Sequence, residues 1–258
     1  MVIPLRDDNP TRHTPWLTIA LIAANVLVFF FVQPQVFGFT ADLDAGRSTG
    51  EEVAFLYEHA TIPCEVRQLA PLSVAQIQTG ECDASEIGAA GAQPFPDKSV
   101  ALSLLASMFM HGGLLHLGGN MLFLWIFGNN VEDRFGAVPY ALFYAVTGTA
   151  ATLAHVAVDP GSTVPLVGAS GAIAGVMGAY LVFWPHARIL SAVPIFLFMV
   201  VRLPAALVLG LWFLMQFATN PNSGVAWAAH VGGFVAGALI ALLTRPFSVT
   251  PAPSPPRR

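Results

Sequence analysis

Ser170 in the run Gly168-Ala169-Ser170-Gly171, and His230 in the pair Ala229-His230, each stand at the head of a strongly apolar segment. Polar groups inside lipid cost free energy unless they face a cavity or a partner, so a serine and a histidine placed there are functional candidates. A serine hydroxyl is a weak nucleophile until a neighbouring base takes its proton, and histidine is the usual base near neutral pH. Attack on an amide carbonyl builds an oxyanion that needs hydrogen-bond donors already aimed at it. His116 and Asn120 supply two candidates. They are spaced i, i+4 on one helix face, both can donate, and free backbone N–H groups near Ser170 add more. The chemistry these types support is that of a serine hydrolase whose site lies within a bilayer.

The composition agrees with a membrane setting. Of 258 residues, 55% are hydrophobic and only 10% charged, with a mean hydropathy of +0.66. A soluble protein of this length needs more charge to cover its surface. The net charge of −4 shows no basic stripe, so nucleic acid is not an expected partner. Against the roughly 20 apolar residues that cross a bilayer, six spans can be marked: 16–32, 114–127, 137–158, 167–184, 203–218 and 225–243. A membrane-associated stretch, 100–110, precedes the second. The apolar run 189–201 reads as an interfacial segment leading into the fifth, and seven spans is the alternative count.

Charge placement orients these spans. Arg6 and Arg12 precede the first, Arg245, Arg257 and Arg258 follow the last, and Arg134, Arg188 and Arg202 lie in loops on the same side. The positive-inside rule puts all of them, and both termini, in the cytoplasm. The chain divides into a cytoplasmic N-terminus 1–15, a first helix 16–32, an outward loop insertion 33–98, a core 99–244 and a disordered cytoplasmic tail 245–258. The N-terminus is too polar for a signal peptide, so the first span reads as an uncleaved anchor. Even-numbered spans then run inward from the outer face. At 1.5 Å per residue, His116, Asn120, Ser170 and His230 fall within roughly 10 Å of the outer surface, four polar residues in one layer.

Small residues explain how the spans approach. Ala174 and Gly178 share a face with Ser170, and Gly233 and Gly237 share one with His230, the small-xxx-small pattern that lets transmembrane backbones pack closely. Cys64 and Cys82 lie in the acidic outward loop, where they form either a disulfide or two free thiols. His13, His59 and His186 read as loop residues, and His155 as a third-span residue near the outer end. His111 and His116 are poorly spaced for a shared metal, no His-Glu-x-x-His is present, and neither a metal nor another cofactor is implied.

Taken together, these motifs resemble the rhomboid intramembrane proteases. His111-Gly112-Gly113-Leu114-Leu115-His116-Leu117-Gly118-Gly119-Asn120-Met121 is similar to the signature of that family's second helix, and Gly168-Ala169-Ser170-Gly171-Ala172-Ile173 to its nucleophile motif. Ala229-His230-Val231-Gly232-Gly233-Phe234-Val235-Ala236-Gly237 looks like its catalytic-histidine helix, and Val131-Glu132-Asp133-Arg134-Phe135-Gly136 like its Glu-x-Arg motif. The matches come in order and cover 99–243.

The resemblance implies an all-α polytopic bundle of six transmembrane helices with a Ser170–His230 dyad and no acidic third member. It also implies oxyanion roles for His116 and Asn120, a structural role for His111, and membrane-spanning helices as substrates. Two departures stand out. Ala174 occupies a position where many relatives carry an aromatic that stacks on the histidine, and the outward loop is long, carries cysteines and lacks the Trp-Arg pair of some bacterial members. The expected protein is a serine endopeptidase of a bacterial plasma membrane. A non-catalytic relative that retains membrane clients is the rival. A solute transporter with a histidine relay would string its ionisable groups across the bilayer rather than cluster them at one depth.

Overall fold

The computed structural model describes residues 2–34, 50–84, 91–193, 199–220 and 224–245. The tail from 246 onward and residues 35–49 of the loop insertion lie outside the described residues. After strand β1 (Ile3–Asp7) comes helix α1 (Trp16–Leu27), continued by a π-helical turn to Val32. The described part of the insertion holds three short helices, α2 (Gly50–His59), α3 (Pro63–Gln68) and α4 (Val74–Thr79). The core follows with α5 (Val100–Ala106), α6 (Leu114–Phe123), α7 (Asn129–Phe135), α8 (Ala137–Val158) and α9 (Ser170–Phe183). It closes with β2 (Arg188–Val193), β3 (Met199–Pro204), α10 (Ala205–Gln216) and α11 (Trp227–Thr244).

α8 and α11 are each long and apolar enough to cross a membrane. The bent pair 100–109 and 114–135, with 83° between its arms, passes the same test as a unit. The stretches 16–32, 170–183 and 205–216 are shorter apolar helices. Two of the differences from the expected spans bear on the site. The second helical segment runs on through a π-helical turn to Phe135, past the expected end at 127. α9 begins at Ser170 rather than 167, because Gly168 adopts φ +124° and gives its N–H to the Ser107 carbonyl at 2.9 Å. That left-handed backbone favours glycine and stops a helix from starting earlier.

The described chain is mostly helical, as expected, and adds one small three-stranded antiparallel sheet that the sequence did not announce. β2 pairs with β3 from Arg188↔Pro204 to Val193↔Met199, so the described parts of the run expected to be interfacial are strands. β1 adds to its edge through Ile3↔Ala192 and Asp7↔Ile189, with a register shift between Pro4 and Arg6. Pairing satisfies backbone groups that an isolated extended strand would leave open. The sheet gathers Arg6, Arg188 and Arg202 at one end of the bundle.

α9 is the centre of the core. Ala172, Ala174, Val176, Met177, Ala179 and Tyr180 are all buried, as befits a helix apolar on every face. Its 14 residues span about 21 Å, which separates Ser170 from the sheet. α1 is held from below by Glu132, whose Oε1 accepts from Leu17 N at 2.9 Å and whose Oε2 accepts from Thr18 N and Thr18 Oγ1, each at 2.7 Å. A carboxylate there satisfies first-turn N–H groups and opposes the helix dipole. Arg134, two residues on, lies over the Phe183 ring at 4.8 Å.

Candidate active site

Ser170 and His230, far apart in the chain, meet at the first turns of α9 and α11. His230 Nε2 lies 2.9 Å from Ser170 Oγ. Close helix packing permits this. A Cβ added to Gly233 would strike the Gly171 carbonyl oxygen, one on Gly237 the Gly175 carbonyl, and one on Gly178 the Phe234 carbonyl. The two backbones therefore touch directly, with Ala174 fully buried between these points along α9. Gly171 and Gly175, the partners of Gly233 and Gly237, were not singled out by the sequence.

His230 is oriented by α10, which the sequence did not reveal. Gln216 Oε1 lies 2.8 Å from His230 Nδ1, and Gln216 Nε2 donates to the Trp212 carbonyl at 2.9 Å. The Trp212 ring sits 5.7 Å from the imidazole, centroid to centroid. Thus the aromatic missing at Ala174 is matched by one from another helix. The legible signal was a lone amide at the end of an apolar span that finishes at the same depth as Ser170.

His116, on α6, borders Ser170. Gly112 N donates to His116 Nδ1 at 3.3 Å, which leaves Nε2 as the ring's donor. A Cβ on Gly168 would sit 2.8 Å from His116 Nε2 and 3.6 Å from Ser170 Oγ. The bare flank of Gly168 is therefore bordered by both groups. Asn120 lies one turn further along α6, buried, and its Nδ2 has no hydrogen-bond partner among the described residues. No direct hydrogen bond joins it to Ser170 or His230. His111 holds the turn before α6: its backbone N–H and carbonyl pair with Gln33 Oε1 at 2.9 Å and Gln33 Nε2 at 3.0 Å, and its ring meets that of His116 edge to face.

A small cavity opens beside Ser170, lined by Met108, Gly148, Ala151, Thr152, Val167 and Ala229. Among the described residues no three His, Cys, Asp or Glu side chains converge as metal ligands would.

The insertion packs onto the loop that delivers Ser170. Thr61 and Leu166 form a β-bridge, Cys64 N donates to the Ser162 carbonyl at 2.9 Å, and Thr163 Oγ1 donates to the Gly80 carbonyl at 3.2 Å. A disulfide joins Cys64 and Cys82, with Cα atoms 5.7 Å apart. Inside the insertion, Glu65 and Lys98 form a buried ion pair at 2.5 Å. Lys98 also donates to the Tyr57 carbonyl at 2.6 Å. Burial pushes the Glu65 carboxyl above its usual range and the Lys98 ammonium below its own, each partly offset by the partner's charge.

The family model of the Rhomboid domain matches residues 98–247. The chain belongs to the rhomboid family. Among its relatives, Rhomboid protein 1, mitochondrial, of Saccharomyces cerevisiae is 35% identical over 150 residues, 54% of this chain and 40% of that protein. Rhomboid protease GluP of Bacillus subtilis is 32% identical over 135 residues, 52% of this chain and 24% of its own. Inactive rhomboid protein 1 of Drosophila melanogaster is 29% identical over 147 residues, 56% of this chain and 10% of its own. The chain thus spans less than half the length of these three relatives. As a rhomboid it is a membrane protein, and the family supports an intramembrane protease-like function while also holding inactive members.

Proposed function

We propose that this rhomboid is an intramembrane serine endopeptidase that cuts membrane-spanning helices near the outer face of a cell membrane. The observation that carries the reading is the 2.9 Å contact between Ser170 Oγ and His230 Nε2 at the heads of two apolar helices. His230 takes the Ser170 proton as Oγ forms a bond to the scissile carbonyl carbon, and the carbonyl oxygen becomes an oxyanion. His116 Nε2–H, Asn120 Nδ2–H and the unpaired first-turn N–H groups of α9 are the donors for that charge. The oxyanion collapses, the C–N bond breaks, and His230 passes its proton to the leaving amine. Water then attacks the acyl ester, its proton moves to His230, and Ser170 leaves with that proton restored. The cavity beside Ser170 suits a small substrate side chain, and no cofactor takes part.

The topology proposed with it has six membrane-crossing segments, 16–32, 114–135, 137–158, 170–183, 205–216 and 227–244. The arginine-bearing sheet and both termini face the cytoplasm of a bacterial cell, and the insertion faces outward. The rival, an inactive client-binding relative, keeps no need for a hydroxyl in reach of an imidazole. A fluorophosphonate probe on the purified protein decides between them. Labelling at Ser170, lost in Ser170→Ala together with cleavage of a model transmembrane substrate, is the expected result. A Ser170→Ala protein that still cleaves would overturn the assignment.

A further inference from the structure

Gln216 makes the only hydrogen bond that His230 Nδ1 has among the described residues, and its orientation is not free. The Trp212 carbonyl can only accept, so the Gln216 NH₂ group must face it, at 2.9 Å. That places Oε1, which can only accept, 2.8 Å from His230 Nδ1. Nδ1 must therefore carry the ring proton, and Nε2 is left with the lone pair that the Ser170 hydroxyl addresses at 2.9 Å. A single acceptor thus selects one tautomer of two. The Trp212 ring, one turn earlier on α10, limits rotation of the imidazole about its bond to the backbone.

We propose that Gln216 is the third member of this site, a neutral positioning residue that holds His230 in its reactive tautomer and orientation through the relay Trp212 carbonyl–Gln216 amide–His230–Ser170. The role rests on the serine-protease reading given above. It takes the geometric share of a triad aspartate's work without its charge. A carboxylate would be costly to bury at this depth, whereas the amide satisfies both its ends inside the bundle. When His230 takes the serine proton, Oε1 stays bonded to Nδ1–H, so proton transfer requires no movement of the ring. The titratable groups whose charge reaches His230 are His116 from α6 and His155 from α8. Neither offers Nδ1 an acceptor.

The test compares Gln216→Met, which keeps the bulk and removes the acceptor, with Gln216→Glu, which keeps an acceptor oxygen and adds charge. Cleavage of a transmembrane substrate in detergent and the rate of fluorophosphonate labelling at Ser170 are measured across pH for both. Gln216→Met should lower kcat by about 10- to 100-fold with KM unchanged, since small displacements of reacting groups have costs of that size. Gln216→Glu should recover most of the loss and move the acid limb of the pH profile upward by about one unit, as a nearby carboxylate favours the imidazolium. A loss of packing alone would affect both variants alike and leave the pH profile in place. Wild-type kcat in Gln216→Met, or a Gln216→Glu protein no better than Gln216→Met, overturns the proposal. If wild-type protein itself takes no probe at Ser170, the protease reading fails first, and that result is distinct from either of these.

Discussion

The backbone N–H of Leu166 donates to the Thr61 carbonyl at 2.7 Å, tying a helical insertion to the loop that ends at Ser170. Thr61 is secured in turn, since its N–H and its hydroxyl both bond Ser107 Oγ, while the Ser107 carbonyl holds Gly168. One hydroxyl residue thus stands between the insertion and the turn before Ser170. The Cys64–Cys82 disulfide ties together the two stretches of the insertion that grip Ser162 and Thr163.

Removing that covalent tie should therefore be felt at the loop. Cys64→Ser with Cys82→Ser should destabilise the insertion by about 2–4 kcal/mol. The Leu166 amide should exchange its hydrogen faster, and turnover should fall. Hydrogen exchange read by mass spectrometry on peptides covering 159–169 measures it. Unchanged exchange there would mean that the loop keeps its place without the disulfide.

Asn120→Ala removes a donor that is buried and unbonded in the free protein. Turnover should drop by about 10²- to 10³-fold. Because the charge Asn120 is proposed to stabilise exists only in the transition state, KM should stay near its original value. Steady-state kinetics with a fluorogenic transmembrane substrate separates the two constants, and an effect confined to KM would remove Asn120 from the oxyanion role.

Gly237→Ala sets a methyl group against the Gly175 carbonyl. Overpacking of this kind costs about 1–3 kcal/mol, and the strain should spread α9 from α11 and slow proteolysis. Gly210→Ala on α10 is the control, because a Cβ there meets nothing within 4 Å and alanine is the better helix former. Ala174→Leu, at a fully buried position on the same helix, should resemble the first variant. Thermal midpoints and turnover that match between Gly237→Ala and Gly210→Ala would refute the tight interface.

Asp7 gives the fold a pH dependence. Burial raises its carboxyl from an ordinary 3.8 to about 6, although Tyr180 Oη and Asn130 Nδ2 both donate to its Oδ2, at 2.9 and 2.7 Å. The folded protein thus holds this proton more tightly than the unfolded chain does. Its contribution is fully present below about pH 4 and is lost as pH rises through about 6. Asp7→Asn should flatten that part of the stability curve. Thermal midpoints of both proteins from pH 4 to 8 measure it, and identical slopes would show that Asp7 is not the group responsible.

Candidates for the site were legible because lipid makes polar residues conspicuous. Ser170, His230, His116 and Asn120 each interrupt an apolar segment, and the expected spans would give them one depth. Gln216 escaped notice since an amide at the end of a hydrophobic run looks like a boundary residue. Only the approach of α10 to α11 shows its bond to His230. The sheet was hidden for another reason. β1 pairs with β2 across most of the chain, and Arg188–Val193 carries no local mark that separates a strand from an interfacial stretch. The contact of Thr61 with Leu166 was equally invisible, being made by backbone atoms that any residue could supply.

Gly233 over Gly171 and Gly237 over Gly175 repeat the same meshing every four residues. Two helices engaged in this way behave like the teeth of a ratchet. The next position in which glycine again faces carbonyl lies four residues away, about 6 Å along the axis, and intermediate positions bring side chains against backbone. A shift of one tooth would carry His230 wholly out of reach of Ser170. Small thermal sliding therefore has nowhere to go, and alignment of the two residues becomes a choice between discrete settings, fixed when the helices first dock during folding.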